Sequence, residues 1–347
     1  MAVGFPTKAN WAAGDVLTAS QMDDLAGTVN LLQNSAFPIM AGKNFVINGG
    51  MDWWQRGTSS TAFGYLADRW FNNFSSGTGT YAQESTVVPT GSQYALKFTA
   101  SSTAQPYHIQ GVETLNTLPL VNKTVTLSAQ VAASTSVPMQ MLLQYSTSVD
   151  AAINGAFTTI GSVATATPTS TTYVPISGTF TIPSSAKTLR VFFQPASTIA
   201  NGVIYYIGQV QLELGSTATT FSRAGGSIGG ELALCQRYYW RNTVNAAYGS
   251  LSLVNGASST TTVYAPVQFP VTMRIAPTSL EYPTSYTGVS VGDGTNRTAV
   301  TALALDSASI NSTNVQATVA SGLTQYRPSY IQANNSATAF LGFSAEL

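Results

Sequence analysis

Over residues 124–131 the chain alternates: Val125, Leu127, Ala129 and Val131 fall on one side, Thr124, Thr126, Ser128 and Gln130 on the other. A two-residue period is that of a β-strand with one buried face and one wet face. Short runs of the same character, separated by clusters of Gly, Pro, Ser and Asn, predict strands over 65–74, 94–99, 124–131, 138–145, 174–182, 188–194 and 203–214. Within the last run Val210, Leu212 and Leu214 share one face, and Gln209, Gln211 and Glu213 the other. Many short strands with regular turn signals predict an all-β chain, with a jelly-roll β-sandwich over residues 43–224.

Four glycines in the seven residues 224–230 break the pattern and predict a linker at 225–230. A second β-sandwich is expected over 231–347, its core capped by a helical turn carrying Leu234, Cys235 and Tyr238. Its strands are expected at 263–269, 271–275, 300–305, 315–320 and 339–345. Pro266, Pro270 and Pro277 donate no ladder hydrogen bond and belong at strand edges or ends. The one helical pattern lies at 18–34, where Thr18 and Gln21 form a capping box and Met22, Leu25, Val29 and Leu32 follow at a and d spacing. So short a helix is marginal alone, so its seam requires a partner, either other copies of the chain or its own β-domain.

The chain is 347 residues long, enough for two or three domains, yet only 8% of it is charged and its net charge is zero. No basic stripe marks a nucleic-acid interface. A single cysteine, Cys235, excludes an intrachain disulfide and leaves oligomerisation as the substitute for covalent staples. Residues 1–6 lack the basic start and apolar run of a signal peptide, and no window reaches membrane-spanning length, so the expectation is synthesis in a cytoplasm without membrane insertion.

Chemistry-bearing residues are sparse. His108, the one histidine, sits among Tyr107, Ile109 and Gly111 in a strand-like run and reads as a hydrogen-bonded strand residue rather than a catalytic base. One His and one Cys make a poor start for a metal site, and no phosphate or dinucleotide loop occurs, so neither metal nor cofactor is expected. A glycan hydrolase needs two carboxylates, for which Asp52 and Asp68 are the candidates; the alternative is that Asp68 pairs with Arg69 or Arg56. Glycan binding needs only aromatic faces for stacking and amides for hydroxyls. Trp53, Asn72, Asn73, Phe74 and Tyr107 are the candidates for it, with Trp54 and Trp70 assigned to the core. Tyr238, Tyr239 and Trp240, with Arg237 and Arg241, form a second cluster that reads equally well as a domain-docking surface.

Particular segments resemble a known family. The run from Gly208 to Arg223 followed by Glu231 to Trp240, the motifs at 44–57 and 65–70, the segment at 269–278 and the ending at 343–347 are similar to segments of tail and fibre proteins of tailed bacteriophages. The resemblance implies a non-enzymatic virion protein, a homotrimeric tail fibre at the tail or baseplate. Residues 1–42 would then contact other virion proteins and trimerise through Met22, Leu25, Val29 and Leu32, while the β-domains meet a host surface glycan. A capsid decoration or head-fibre protein, and a glycan-degrading tailspike, remain the alternatives.

Overall fold

A computed structural model describes residues 42–161 and 163–347. The helix expected at 18–34, with Met22, Leu25, Val29 and Leu32, and all but the last residue of the expected attachment segment 1–42 lie outside the described residues. The described chain is all-β, built as two sandwich-like units.

The first unit contains β1 (Ser59–Ser60), β2 (Gly64–Tyr65), β3 (Phe71–Ser76), β4 (Gly79–Glu84), β5 (Ala95–Ala100), β6 (Gln105–Val112) and β7 (Thr124–Ala133). It continues through β8 (Met139–Ser146), β9 (Thr158–Thr159), β10 (Ala164–Ala166), β11 (Val174–Thr181), β12 (Thr188–Pro195) and β13 (Ile204–Leu214). One sheet runs β1-β4-β5-β13-β7-β11; the facing sheet runs β10-β8-β12-β6-β3-β2, with β9 beside β8. Every pairing is antiparallel. The inward alternation of β7, Val125, Leu127, Ala129 and Val131, meets Met139, Met141, Leu143, Val191 and Phe193 from the facing sheet in one core. Trp70, Tyr81, Tyr205, Phe98 and Phe193 are its largest fully buried members.

His108 is the polar residue around which the inner side of β6 is organised. His108 points inward from β6, with Nδ1 2.7 Å from the Asn72 side-chain oxygen and Nε2 2.6 Å from the Tyr205 hydroxyl. An amide oxygen only accepts, so Nδ1 carries the proton and Nε2 accepts from Tyr205. Both ring nitrogens are thereby satisfied without a charge, as a buried polar group requires.

The second unit contains β14 (Tyr239–Thr243), β15 (Asn255–Gly256), β16 (Thr262–Gln268), β17 (Ser279–Glu281), β18 (Val289–Gly292), β19 (Arg297–Asp306), β20 (Ser312–Val319), β21 (Pro328–Ala333) and β22 (Phe340–Ser344). These form a sheet β15-β21-β18-β19-β20-β16 and a smaller sheet β14-β22-β17 over a core that includes Leu251, Val263, Val315, Ile331 and Phe343.

Several expectations are corrected. The run 65–74 is two strands, because the chain folds back at 66–70: Trp70 N–H donates to Ala67 O, Leu66 N–H to Trp70 O, and Arg69 takes φ +71°. Residues 271–275 form no strand; Met273 N–H goes to Ile310 O and Arg274 N–H to Arg237 O, so consecutive amides serve different partners. The glycine-rich stretch 225–230 is a packed turn rather than a loose linker. A Cβ on Gly230 would lie 2.2 Å from Gly225 O and one on Gly225 2.2 Å from Glu231 N, so glycine is needed for backbone approach. A helix, Ile228–Gln236, starts inside that stretch with Ser227 as its N-cap, accepting from Gly230 N–H. Cys235 and Tyr238 pack with Ile47 and Ala224, so this element caps the joint between the units and not the second core.

The units are locked by charge. Arg69, 1% exposed, donates to Glu346 and, at 2.7 Å, to Gly111 O, and its guanidinium lies 3.5 Å from the Tyr238 ring centroid. Arg56 reaches Glu346 at 3.3 Å and Glu281 at 3.4 Å and stacks on Tyr239 at 3.4 Å. Glu231 accepts from Asn48 N–H and from Gly225 N–H, tying the helix to the first unit. The tail then settles on the outside of β6, where a Cβ on Gly111 would meet Leu347 Cδ1 at 2.8 Å.

Two outcomes follow for stability. Glu346→Gln strips a buried arginine of its carboxylate and is expected to cost about 3–5 kcal/mol, with much of the loss recovered in the double variant Arg69→Met/Glu346→Gln. Urea unfolding measures both; a single-variant loss within the range of ordinary surface changes would refute the assignment. Burial holds His108 neutral, its pKa lowered from 6.5 to about 3. The unfolded chain therefore takes up a proton between those values that the folded chain refuses, so this contribution is intact above pH 6.5 and is lost as pH falls below it. Asp68, raised by burial from 3.8 to about 6, acts in the opposite sense over most of that window, so the test is differential. The stability advantage of the native chain over His108→Gln should shrink by about 1.4 kcal/mol per pH unit below the unfolded histidine pKa; a pH-independent difference would contradict it.

Candidate functional site

The outer face of the sheet β10-β8-β12-β6-β3-β2 carries the side chains that the alternation turns away from the core. Register sets them in rows. Phe192 of β12 lies opposite Leu142 of β8 on one side and Ile109 of β6 on the other, and Ile109 opposite Phe71 of β3. In the next row Gln140 is paired with Gln194, and Tyr107 with Asn73. Arg190 lies between Gln144 and Gly111.

Diagonal contacts connect the rows. Tyr107 stacks on Phe192 with centroids 5.2 Å apart and planes 18° from parallel. The Arg190 guanidinium stands 5.7 Å from the Phe192 centroid and 4.1 Å from that of Phe157. The result is a continuous band, Phe157, Arg190, Phe192 and Tyr107, with Asn73 beside its end. These side chains are half-buried: packed on the sheet below, open above. Beneath them Ile109, Phe71 and Ile153 form a small separate apolar cluster that supports the band from within the face.

Amides line the band. Gln194 Nε2 donates to Gln140 Oε1 at 3.1 Å, which leaves the Gln140 amino group and the Gln194 carbonyl oxygen without protein partners among the described residues. The Asn73 side-chain oxygen accepts from Phe74 N–H at 2.7 Å, and its amino group has no partner among the described residues. At the Phe157 end a depression of about 420 Å³ opens among Tyr145, Ser146, Ser148, Gly155 and Thr158. Flat aromatic faces beside unspent donors and acceptors are what a sugar ring needs, since its C–H face stacks while its hydroxyls exchange hydrogen bonds.

Of the residues proposed from sequence, Tyr107 and Asn73 meet on this face as cross-strand neighbours. Asn72 points inward, fully buried on His108. Phe74 also turns toward the core, 4.9 Å from Tyr81 and 5.6 Å from Phe98. Trp53 lies at the joint, its Nε1 donating to Ile228 O at 3.1 Å. The cluster at 237–241 is a docking surface in part: Arg237 reaches Glu113 at 3.3 Å, Tyr239 carries Arg56 and Arg241 Nη1 donates to Gln55 O at 2.9 Å, whereas Trp240 stacks on Phe343 within the second unit's own core. Phe192 and Arg190 were absent from the candidates, although the alternation through 189–194 places both on the side opposite Leu189, Val191 and Phe193.

The carboxylates have other duties. Asp68 is fully buried and accepts from Gln55 N–H at 2.9 Å and Gln55 Nε2 at 2.6 Å, rather than pairing with Arg69 or Arg56, which turn to Glu346. Asp52 pairs with Arg223 at 2.7 Å. Asp68 is thus sealed from any glycosidic bond. Among the described residues no group of three or more His, Cys, Asp or Glu is placed to hold a metal ion.

No protein-family model and no curated protein matches the chain. Among solved structures, a family 61 carbohydrate-binding module in complex with β-1,4-galactotriose is similar over 50% of this chain and 99% of its own, at 10% identity and a TM-score of 0.34. The family 22 xylan-binding domain of Paenibacillus barcinonensis Xyn10C is similar over 51% of this chain and 98% of its own, at 11% identity and a TM-score of 0.32. The enzymatically active domain of bacteriophage CBA120 tailspike protein 4 is similar over 50% of this chain and 21% of its own, at 12% identity and a TM-score of 0.34. Likenesses at this level assign no function, which rests on the chain's own residues.

If the band is a binding surface rather than sheet cladding, Tyr107→Ala and Phe192→Ala should each cut affinity for a bound glycan about tenfold or more while costing only about 0.5–3 kcal/mol of stability. Isothermal titration paired with thermal unfolding separates the two; equal binding by native and variant chains would assign the band to sheet packing alone.

Proposed function

We propose that the protein is a non-enzymatic phage virion component, a trimeric tail fibre, that contacts host surface glycan through the outer face of its first sandwich. The observation that carries the binding part is the Phe157–Arg190–Phe192–Tyr107 band, which keeps aromatic faces half open beside unspent amides. The virion part is supported by the fibre-like motifs at 44–57, 65–70, 208–240, 269–278 and 343–347. Individual sugar contacts of this kind are weak. Presentation on three chains and on many fibres multiplies them, since linked sites gain roughly 10²- to 10⁴-fold in avidity without new contacts. A surface with few charges resists nonspecific adsorption while the fibre samples a cell.

Two measurements test this. A glycan array probed with the purified chain should show binding that disappears in Tyr107→Ala; an array blank for the native chain would defeat the glycan reading. Cryo-electron microscopy of a particle carrying the protein should find three-fold spikes at the tail or baseplate, whereas copies arrayed on the capsid would replace the fibre reading with decoration.

A further inference from the structure

Arg190 is the single cation of the band; its neighbours on the face are Gln140, Gln144, Gln194 and Asn73. Of the five guanidinium N–H donors, Nε is spent on Gln144 Oε1 at 2.8 Å, and Nη1 on the carbonyls of Ile153 at 2.7 Å and Gly155 at 3.5 Å. Nη2 has no partner among the described residues. Nor has Arg190 a carboxylate partner among the described residues, a state it shares with Arg241 and Arg297, whereas Arg56, Arg69, Arg223, Arg237, Arg274 and Arg327 each have one. The group is held in place by aromatic faces and two backbone carbonyls, half dehydrated, with an open donor edge. Burial lowers its pKa to about 10, which leaves it charged at neutral pH but less well solvated than a free arginine.

We infer that the band selects acidic glycans, with a sugar carboxylate docking on Arg190 Nη2 while the adjoining ring stacks on Phe192 and Tyr107. This deepens, and rests on, the glycan reading above. A guanidinium N–H is a strong donor to carboxylate, and a charge-assisted bond is about twice as strong as a neutral one. The contacts already made by Nε and Nη1 fix the group in advance, so little side-chain freedom is lost on docking.

The test uses the full chain and polysaccharide pairs differing only in the carboxyl group: polygalacturonate, alginate, hyaluronan and polysialic acid, each beside its carboxyl-reduced form. The native chain should bind at least one acidic member about tenfold or more tighter than its reduced partner. The gap should close in Arg190→Gln, survive in Arg190→Lys, and narrow as salt is raised. Tyr107→Ala should weaken both members of the pair together. Equal affinity for an acidic polymer and its reduced form overturns the acidic preference while leaving glycan binding standing; no binding to any acidic member overturns the acidic preference as well, and the glycan array then decides the glycan reading. Should Arg190→Gln fail to fold, Arg190→Lys and the salt titration of the native chain decide. Preference that persists undiminished at high salt counts against a charge contact.

Discussion

The geometry of both units depends on one buried guanidinium. Arg69 occupies a left-handed backbone conformation, φ +71°, at the turn that separates β2 from β3, and that conformation is uncommon for a residue with a long side chain. It is held there by what the side chain reaches: the carbonyl of Gly111 on β6, the ring of Tyr238, and Glu346. Charges so deeply buried persist only with a partner and good hydrogen bonds. The turn, the third strand of the outer face and the second unit are therefore placed by the same ion, and Arg56 extends the arrangement to Glu281 and Tyr239.

That lock bears on the binding face. Three of the four band residues, Tyr107, Arg190 and Phe192, lie on regular strands, Phe157 standing just before β9, and the supporting cluster of Phe71, Ile109 and Ile153 is pressed from one side by Leu347, whose backbone oxygen accepts from Ile153 N–H at 3.5 Å. Side chains whose rotamers are already fixed by stacking lose little entropy on meeting a ligand. A flat, prearranged surface suits long polymers, for which many shallow contacts along a chain replace one deep pocket.

Much of this was legible in the sequence. Alternation located β7, β8, β11, β12 and β13 to within a residue or two, because each has an apolar inner row. It failed where the inner row is polar. On β6 the inward residues include His108 and Gln110, the latter exchanging hydrogen bonds with the backbone of Ile47, so burial there is carried by partners up to 97 residues distant. Nothing local announces that. On β4 the apolar row reduces to Gly79 and Tyr81, too short to register. The same limit governs the site. Period says that of Phe192 and Phe193 one faces in and one out, and that Asn72 and Asn73 differ likewise. It does not reveal which strands become neighbours, so although the period sets Phe192 and Arg190 on the outward side of their own strand, nothing in it joins them to Tyr107 and Asn73. Trp53 and Phe74 had the right chemistry and the wrong surroundings.

The partners of the central ion are 277 residues apart in sequence. A ribosome delivers the first sandwich long before it delivers Glu346, so during synthesis Arg69 waits in a strained turn with its anion not yet made, and the joint at 225–230 has no second unit to close upon. Contacts of such long range are slow to form and are rewarded only at the end. Completion of the fold is thereby tied to completion of translation through residue 346: a chain released earlier keeps an unpaired arginine and an uncovered Gly111 strand, and is distinguishable from the finished molecule by the surface it leaves open.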